Sequence, residues 1–167
     1  PEPIQNLKLR LTFGIYDQLP VISKSFELLN ESNEEVRVDS FELERLAFVE
    51  PESSDDAEGT DLLPNIYVES NQLSASCFKY RGASGTASWM RDPDYTSQRS
   101  YCCATRCILS VHSVWGPDKA LPAGESFSSF TNWLMPFDSY DRERRGLFQR
   151  HFYRALAPWT TENPIFL

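Results

Sequence analysis

The sequence predicts an all-β protein: an antiparallel β-sandwich with one helix near the C-terminal end. Three observations carry this. Leu7, Leu9, Leu11, Phe13 and Ile15 alternate with Lys8, Arg10 and Thr12, the period-two pattern of a strand with one apolar face. Further alternating segments recur along the chain between turn residues, and prolines, at 11, outnumber glycines, at 7, as suits a many-turned β protein. Only one stripe has helical spacing, and it comes late: Phe148, Phe152, Ala155 and Leu156 at i, i+4, i+7 and i+8. Strands with one apolar face need a second layer over them, so two packed sheets are expected.

The first strand ends at Tyr16-Asp17-Gln18-Leu19-Pro20, where proline fixes its own φ and removes a donor. A second strand runs from Val21 to Leu29, and Asn30-Glu31-Ser32-Asn33 closes it. Val36 and Val38 point inward from the next strand. Ser40 to Val49 continues it, with Leu46 and Phe48 on one side and Phe41, Leu43 and Ala47 on the other. Helix competes here, because Glu42, Leu43, Glu44, Arg45 and Leu46 are good helix formers. Strand is preferred because it extends an existing sheet. Ile66–Ser70 and Ala75–Tyr80 are short strands, and Arg81–Ser88 is a small-residue loop.

Tyr101 to Trp115 reads as a long strand, with Ile108, Ser110 and His112 opposing Leu109, Val111 and Ser113. Gly116-Pro117 is expected to turn it. Leu121–Glu125 is a tight turn into a strand from Ser126 to Leu134. Asp138 or Ser139 is then the expected helix N-cap, with Asp141 in the first turn, and Pro158 stops the helix. The domain organisation is a sandwich over residues 1–137, followed by a helix and linker over 138–167.

Composition excludes several classes. At 41% hydrophobic and 13% aromatic, the chain of 167 residues can bury a core. Its net charge of −8, with no basic stripe to offset it, argues against nucleic acid as a partner. No apolar run approaches the roughly 20 residues of a membrane span, so no membrane partner is expected. The sequence opens in mid-pattern at Pro1-Glu2-Pro3 and ends in the apolar run Ile165-Phe166-Leu167. It therefore reads as a piece of a larger protein.

Four cysteines, Cys77, Cys102, Cys103 and Cys107, lack the second pair or histidine cluster of a zinc site, and no metal or cofactor is expected. Two readings remain: buried thiols acting as small hydrophobes, or a Cys103–Cys107 disulfide, which would suit an exported protein, periplasmic or extracellular. The acidic run Glu50–Leu63 is a solvated loop, without the ligand pattern of a calcium loop.

The stretch that could carry chemistry is Trp89-Met90-Arg91-Asp92-Pro93-Asp94-Tyr95. Sugars present apolar C–H faces and rings of hydroxyls. An aromatic plate such as Trp89 can stack on the face, while Asp92, Asp94 and the Tyr95 phenol take up hydroxyls. The competing reading is a structural turn with Trp89 in the core. Two carboxylates one proline apart on one loop are badly placed to flank a glycosidic bond, so no catalytic residue is assigned.

A resemblance adds to this. Tyr16-Asp17, Leu19–Lys24 and Asn30 are similar to a strand-turn-strand unit in the β-sandwich domain of alpha-galactosidase-like glycoside hydrolases. It resumes at Asp92-Pro93-Asp94-Tyr95, at Leu121-Pro122-Ala123-Gly124-Glu125, and from Ser139-Tyr140-Asp141-Arg142 through Leu156-Ala157-Pro158-Trp159. It implies a galactose-mutarotase-like supersandwich, incomplete in this chain, that precedes a catalytic (β/α)8 barrel. It makes the 138–167 segment the connector to that barrel, and places the catalytic aspartates on the barrel.

Three functions follow. The first is a non-catalytic sandwich domain of a glycoside hydrolase, with the barrel as partner and a loop lent to a carbohydrate site. The second is a free-standing carbohydrate-binding, lectin-like module. The third is a mutarotase-like epimerase, disfavoured because the paired histidines of that family have no match and His112 is the only strand histidine.

Overall fold

The computed structural model describes residues 6–48, 63–72, 85–93 and 106–159. They form two antiparallel sheets and one helix, as the alternating segments and the single helical stripe predict. The strands are β1 (Leu7–Tyr16), β2 (Leu19–Asn30), β3 (Val36–Ala47), β4 (Ile66–Ser70), β5 (Ala87–Arg91), β6 (Arg106–Leu121), β7 (Ser126–Ser128) and β8 (Asn132–Pro136). The helix α1 spans Arg142–Leu156. The larger sheet has the order β1-β2-β8-β4, with β7 also on β2, and the smaller has the order β3-β6-β5.

The large sheet lies between the small sheet and the helix. Period-two alternation along β4 and β8 explains how. Val68 and its partner Leu134 face the small sheet, where they pack with Ala87, Trp89, Leu109 and Val111. The adjacent pair, Tyr67 and Met135, faces the other way and packs with Val21 and with Phe152 of α1. The two cores are thus back to back across one sheet. Towards the β2 end, Phe26, Phe41, Phe127 and Phe130 fill the space between the sheets, with ring centroids 5.0–6.1 Å apart.

The departures from simple alternation have local causes. Phe41 and Leu46 both face the large sheet, although strict period two would oppose them. The register of β3 on β6 shifts between Ser40 and Glu42 and again between Glu42 and Glu44, which turns the phase over. Opposite this, Gly116-Pro117 does not end β6. Ser40 pairs with Pro117 and Glu42 with His112, so Ser113–Gly116 bulge out of the strand and β6 continues to Leu121. Gly116 sits at φ 74°, a left-handed angle that favours glycine, and its peptide to Pro117 is cis.

The expected strand Ser126–Leu134 is two strands. β7 pairs with Glu27–Leu29 and β8 with Ile22–Lys24, so three residues, Ser129–Thr131, stand against Ser25 and Phe26. The Ser129 hydroxyl accepts the Phe26 N–H at 2.8 Å and the Ser129 N–H donates to the Phe26 carbonyl at 2.9 Å, which stitches the break to β2. Trp133 consequently faces the helix while Phe127 faces the small sheet.

The helix begins later than the sequence suggested. Asp141 is the N-cap, and its carboxylate accepts the Arg144 N–H at 2.8 Å. The Ser139 hydroxyl instead accepts the Asp141 N–H at 3.0 Å, and the Asp138 carboxylate takes the Arg144 guanidinium. Phe152 is buried, and Phe148 and Leu156 pack beside it, whereas Ala155 is exposed. The Ala157 N–H closes the last turn on Tyr153 at 2.8 Å, just before Pro158.

Candidate functional site

Trp89 does not stand on a loop. Ala87–Arg91 is β5, at the edge of the small sheet among the described residues, and Trp89 pairs with Leu109 of β6. Its side chain points between the sheets, is 1% exposed, and meets Phe48 at a centroid distance of 5.4 Å. The sugar-stacking role expected of Trp89 is thereby corrected: a ring with both faces in the core offers none to a ligand. The alternation Ala87-Ser88-Trp89-Met90 was the missed signal. Asp92 follows the strand and is part-exposed. Asp94 and Tyr95 lie outside the described residues, as do Cys103, the acidic run 50–62, the expected strand Ala75–Tyr80 and the residues beyond Trp159. Cys107 is buried on β6.

Two polar clusters that sequence reasoning passed over come together instead. The first lies under the helix. Glu69 follows Tyr67 by two on β4, so both point to the helix side, and the neighbouring strand sets Trp133 opposite Glu69. The Tyr67 hydroxyl donates to Glu69 Oε2, and the Tyr153 hydroxyl of α1 donates to the same oxygen at 2.6 Å. The two phenol oxygens are 2.9 Å apart. Glu69 is 8% exposed, so its carboxylate is taken from water and held by two phenols in return. Burial, and then the Glu69 carboxylate, push the Tyr67 phenol well above its ordinary range. The same causes push the Tyr153 phenol up to about 12. Both phenols therefore stay protonated donors across ordinary pH.

Further along the same helix, Arg145 donates to Asn65 Oδ1 and, at 3.3 Å, to the Ser139 carbonyl. Asn65 Nδ2 donates to the carbonyls of Phe137 and Ser139 at 3.2 and 2.9 Å. The guanidinium also lies 5.7 Å from the Phe137 ring centroid and 5.0 Å from that of Tyr140. Two anchors about two turns apart thus fix α1 to the sheet, with Phe152 between them and next to Tyr153.

The second cluster is on the outer face of the small sheet. The Ser110 hydroxyl donates to Glu42 Oε1 and lies 3.2 Å from His112 Nδ1, and Arg45 reaches Glu42 at 3.5 Å. The residue types are those of a nucleophilic triad, but the order differs. A triad sets histidine between serine and carboxylate, so that it takes the serine proton and is steadied by the acid. Here the serine sits between the other two and donates to the carboxylate. It is also 3% exposed. This is a satisfied polar row on a bulged sheet.

Among the described residues the most exposed aromatic ring is Trp115, on the β6 bulge, at 80%. Ser113 beside it donates to the Trp115 carbonyl at 3.0 Å and accepts from Gln72 Nε2 at 3.0 Å. No group of three or more metal-ligating side chains stands together among the described residues. Among them, no helix is long and apolar enough to cross a membrane. No family model matches the chain, and neither a curated protein nor a solved structure matches it.

Proposed function

We propose that this chain is a non-catalytic β-sandwich domain of an alpha-galactosidase-like glycoside hydrolase, and that α1 is its mount for the (β/α)8 barrel. The observation that carries the reading is the way α1 is held. Phe152 is 1% exposed, Tyr153 is tied to Glu69 and Arg145 to Asn65, so the chain leaves the sandwich in a fixed direction. Tyr140, Leu147 and Trp159 of this region are exposed, apolar side chains available to a second folded body. The residues that resemble the family run through the same segment, from Ser139 to Trp159. The buried carboxylates among the described residues, Glu44 and Glu69, are taken up by Lys24 and by the two phenols.

Two measurements test this. The purified chain should release no phenol from aryl alpha-galactosides or other aryl glycosides. Translation of the gene past Leu167 should show alternating strand and helix segments of a barrel. Turnover by the chain alone, or a reading frame without that pattern, overturns the reading. A free-standing carbohydrate-binding module is the second reading, favoured by Trp115. It requires the isolated chain to bind a polysaccharide and Trp115→Ala to abolish binding with the fold unchanged.

A further inference from the structure

We propose that the outer edge of β1 pairs antiparallel with β1 of a second copy of this chain, about a two-fold axis at Leu11, joining two large sheets into one. This inference is independent of the reading above and uses a different surface. Among the described residues β1 is the terminal strand of the large sheet, ten residues long, and its register shift comes only at Ile15/Tyr16. Edges of this length are ordinarily blunted by charged side chains, proline or a central bulge. Between Leu7 and Gly14 there is no proline and no bulge, and the two charges, Lys8 and Arg10, lie on the face away from the apolar row.

Three features make the edge fit its own copy. The first is the backbone. The ladder to β2 starts with the Glu31 N–H on the Asn6 carbonyl at 2.9 Å, so even-numbered residues bond inward. By the alternation of an antiparallel ladder, the N–H and C=O of Leu7, Leu9, Leu11, Phe13 and Ile15 point outward.

The second is the side-chain row. These odd residues share the face of Ile22, Lys24 and Phe26 across the strand, yet β1 lies beyond the reach of the small sheet. Leu9 is 59%, Leu11 49%, Phe13 62%, Ile15 87% and Ile22 48% exposed. A monomer rarely leaves a contiguous apolar row of this size bare.

The third is charge. With Leu11 opposite Leu11, Leu9 meets Phe13 and Leu7 meets Ile15 on the apolar face. On the other face Arg10 meets Thr12 and Lys8 meets Gly14, so no like charges oppose. Sliding the copies by one residue pair in one direction sets Arg10 against Arg10; sliding the other way leaves Leu7 without a strand partner. Lys8 and Arg10 also pair along the sheet with Glu31 at 2.7 Å and Glu27 at 2.8 Å, exposed pairs that soften their charge without cancelling it. An occupant of this edge must bring an outward strand, an apolar row on the matching face and no cation opposite Arg10. A second β1 brings all three.

The test is sedimentation velocity and light scattering on the full 167-residue chain, from micromolar to hundred-micromolar concentration. A species of twice the chain mass is expected. Leu11→Lys sets two ammonium groups together at the axis and should weaken the dimer at least about tenfold. Thr12→Glu faces Arg10 of the other copy twice per dimer and should tighten it by about 2- to 30-fold, while Thr12→Arg weakens it. Both positions are exposed, so the circular dichroism spectrum of each variant should match the parent. If Leu11→Lys fails to fold, the opposed Thr12 variants decide alone. A monomer throughout, which would leave this row to another part of a longer protein, overturns the proposal. So does a dimer on which the two Thr12 variants act alike.

Discussion

Trp89 and Ile15 are both large apolar side chains on strands at the edge of a sheet, and they have opposite fates. Trp89 on β5 is 1% exposed; Ile15 on β1 is 87% exposed. The difference lies in what stands opposite. β5 faces β4 and β8 of the large sheet, so its inward row meets Val68, Leu134 and Ile66. β1 extends the large sheet past the last strand of the small one, and the helix packs over β2, β8 and β4. The β4 end of the large sheet is covered on both faces, whereas of the β1 end only Tyr16 reaches a core, the one under the helix. Alternation assigns residues to a face; the reach of the neighbouring layer decides whether that face is buried.

The largest effects are expected where both layers meet. Trp89→Ala and Phe152→Ala each empty a site at the centre of one core, and each should cost about 3–5 kcal/mol in urea unfolding. The indole N–H of Trp89 has no hydrogen-bond partner, so the loss is one of packing. A cost below about 1 kcal/mol for Trp89→Ala would dissolve the comparison and reopen Trp89 as a ligand platform.

Next comes the polar knot under the helix. Tyr67→Phe removes one of two phenol donors to a buried carboxylate and should cost about 1–3 kcal/mol. The knot also gives a pH dependence with a definite sign. The Tyr153 phenol is pushed up to about 12, so the folded state holds its proton where an unfolded phenol, near 10, has lost it. Its contribution is full below pH about 10 and falls as pH rises towards about 12. Tyr67 is raised as well, so it extends the decline to higher pH. Tyr153→Phe should shallow the decline, read by stability against pH and by tyrosinate absorbance. A stability curve that stays flat to pH 12 counts against the knot.

The N-cap is smaller. Asp141→Ala should cost about 1 kcal/mol, and Ser139→Ala less, because only Asp141 accepts a helix N–H. Equal costs would return the cap to the position that the sequence suggested.

The fold class was legible because it rests on patterns that survive without tertiary information: the β1 and β2 alternation, the Phe148-Phe152-Leu156 stripe and Pro158. What was not legible was phase. The bulges at Ser40/Glu42 and Glu42/Glu44 turn Phe41 to the same side as Leu46, and the break at Ser129–Thr131 turns Trp133 away from Phe127. No local residue code marks either place, since each depends on the partner strand. The polar site was hidden for the same reason. Tyr67 and Glu69 lie two apart, but Tyr153 is 84 residues further on and joins them only when the helix docks. Trp89 looked like a loop platform because Asp92-Pro93-Asp94 is a strong turn motif, and the turn begins after the strand rather than before it.

The smallest effect belongs to Ile15. Full burial of such a side chain stabilises by about 1.5–3 kcal/mol, and at 87% exposed little of that is realised within one copy. Ile15→Thr keeps the β-branch and so the strand preference, which isolates the burial. In dilute protein the substitution should shift unfolding by less than about 0.5 kcal/mol. A cost above about 1.5 kcal/mol would mean that the monomer itself covers the end of β1, and the contrast with Trp89 would vanish. The same pair of proteins compared at high concentration sharpens the contrast. If a second β1 sets its Leu7 beside Ile15, the variant falls behind the parent only as the protein is concentrated. The exposure of Ile15 is then a property of the single chain, not of the form in which it works.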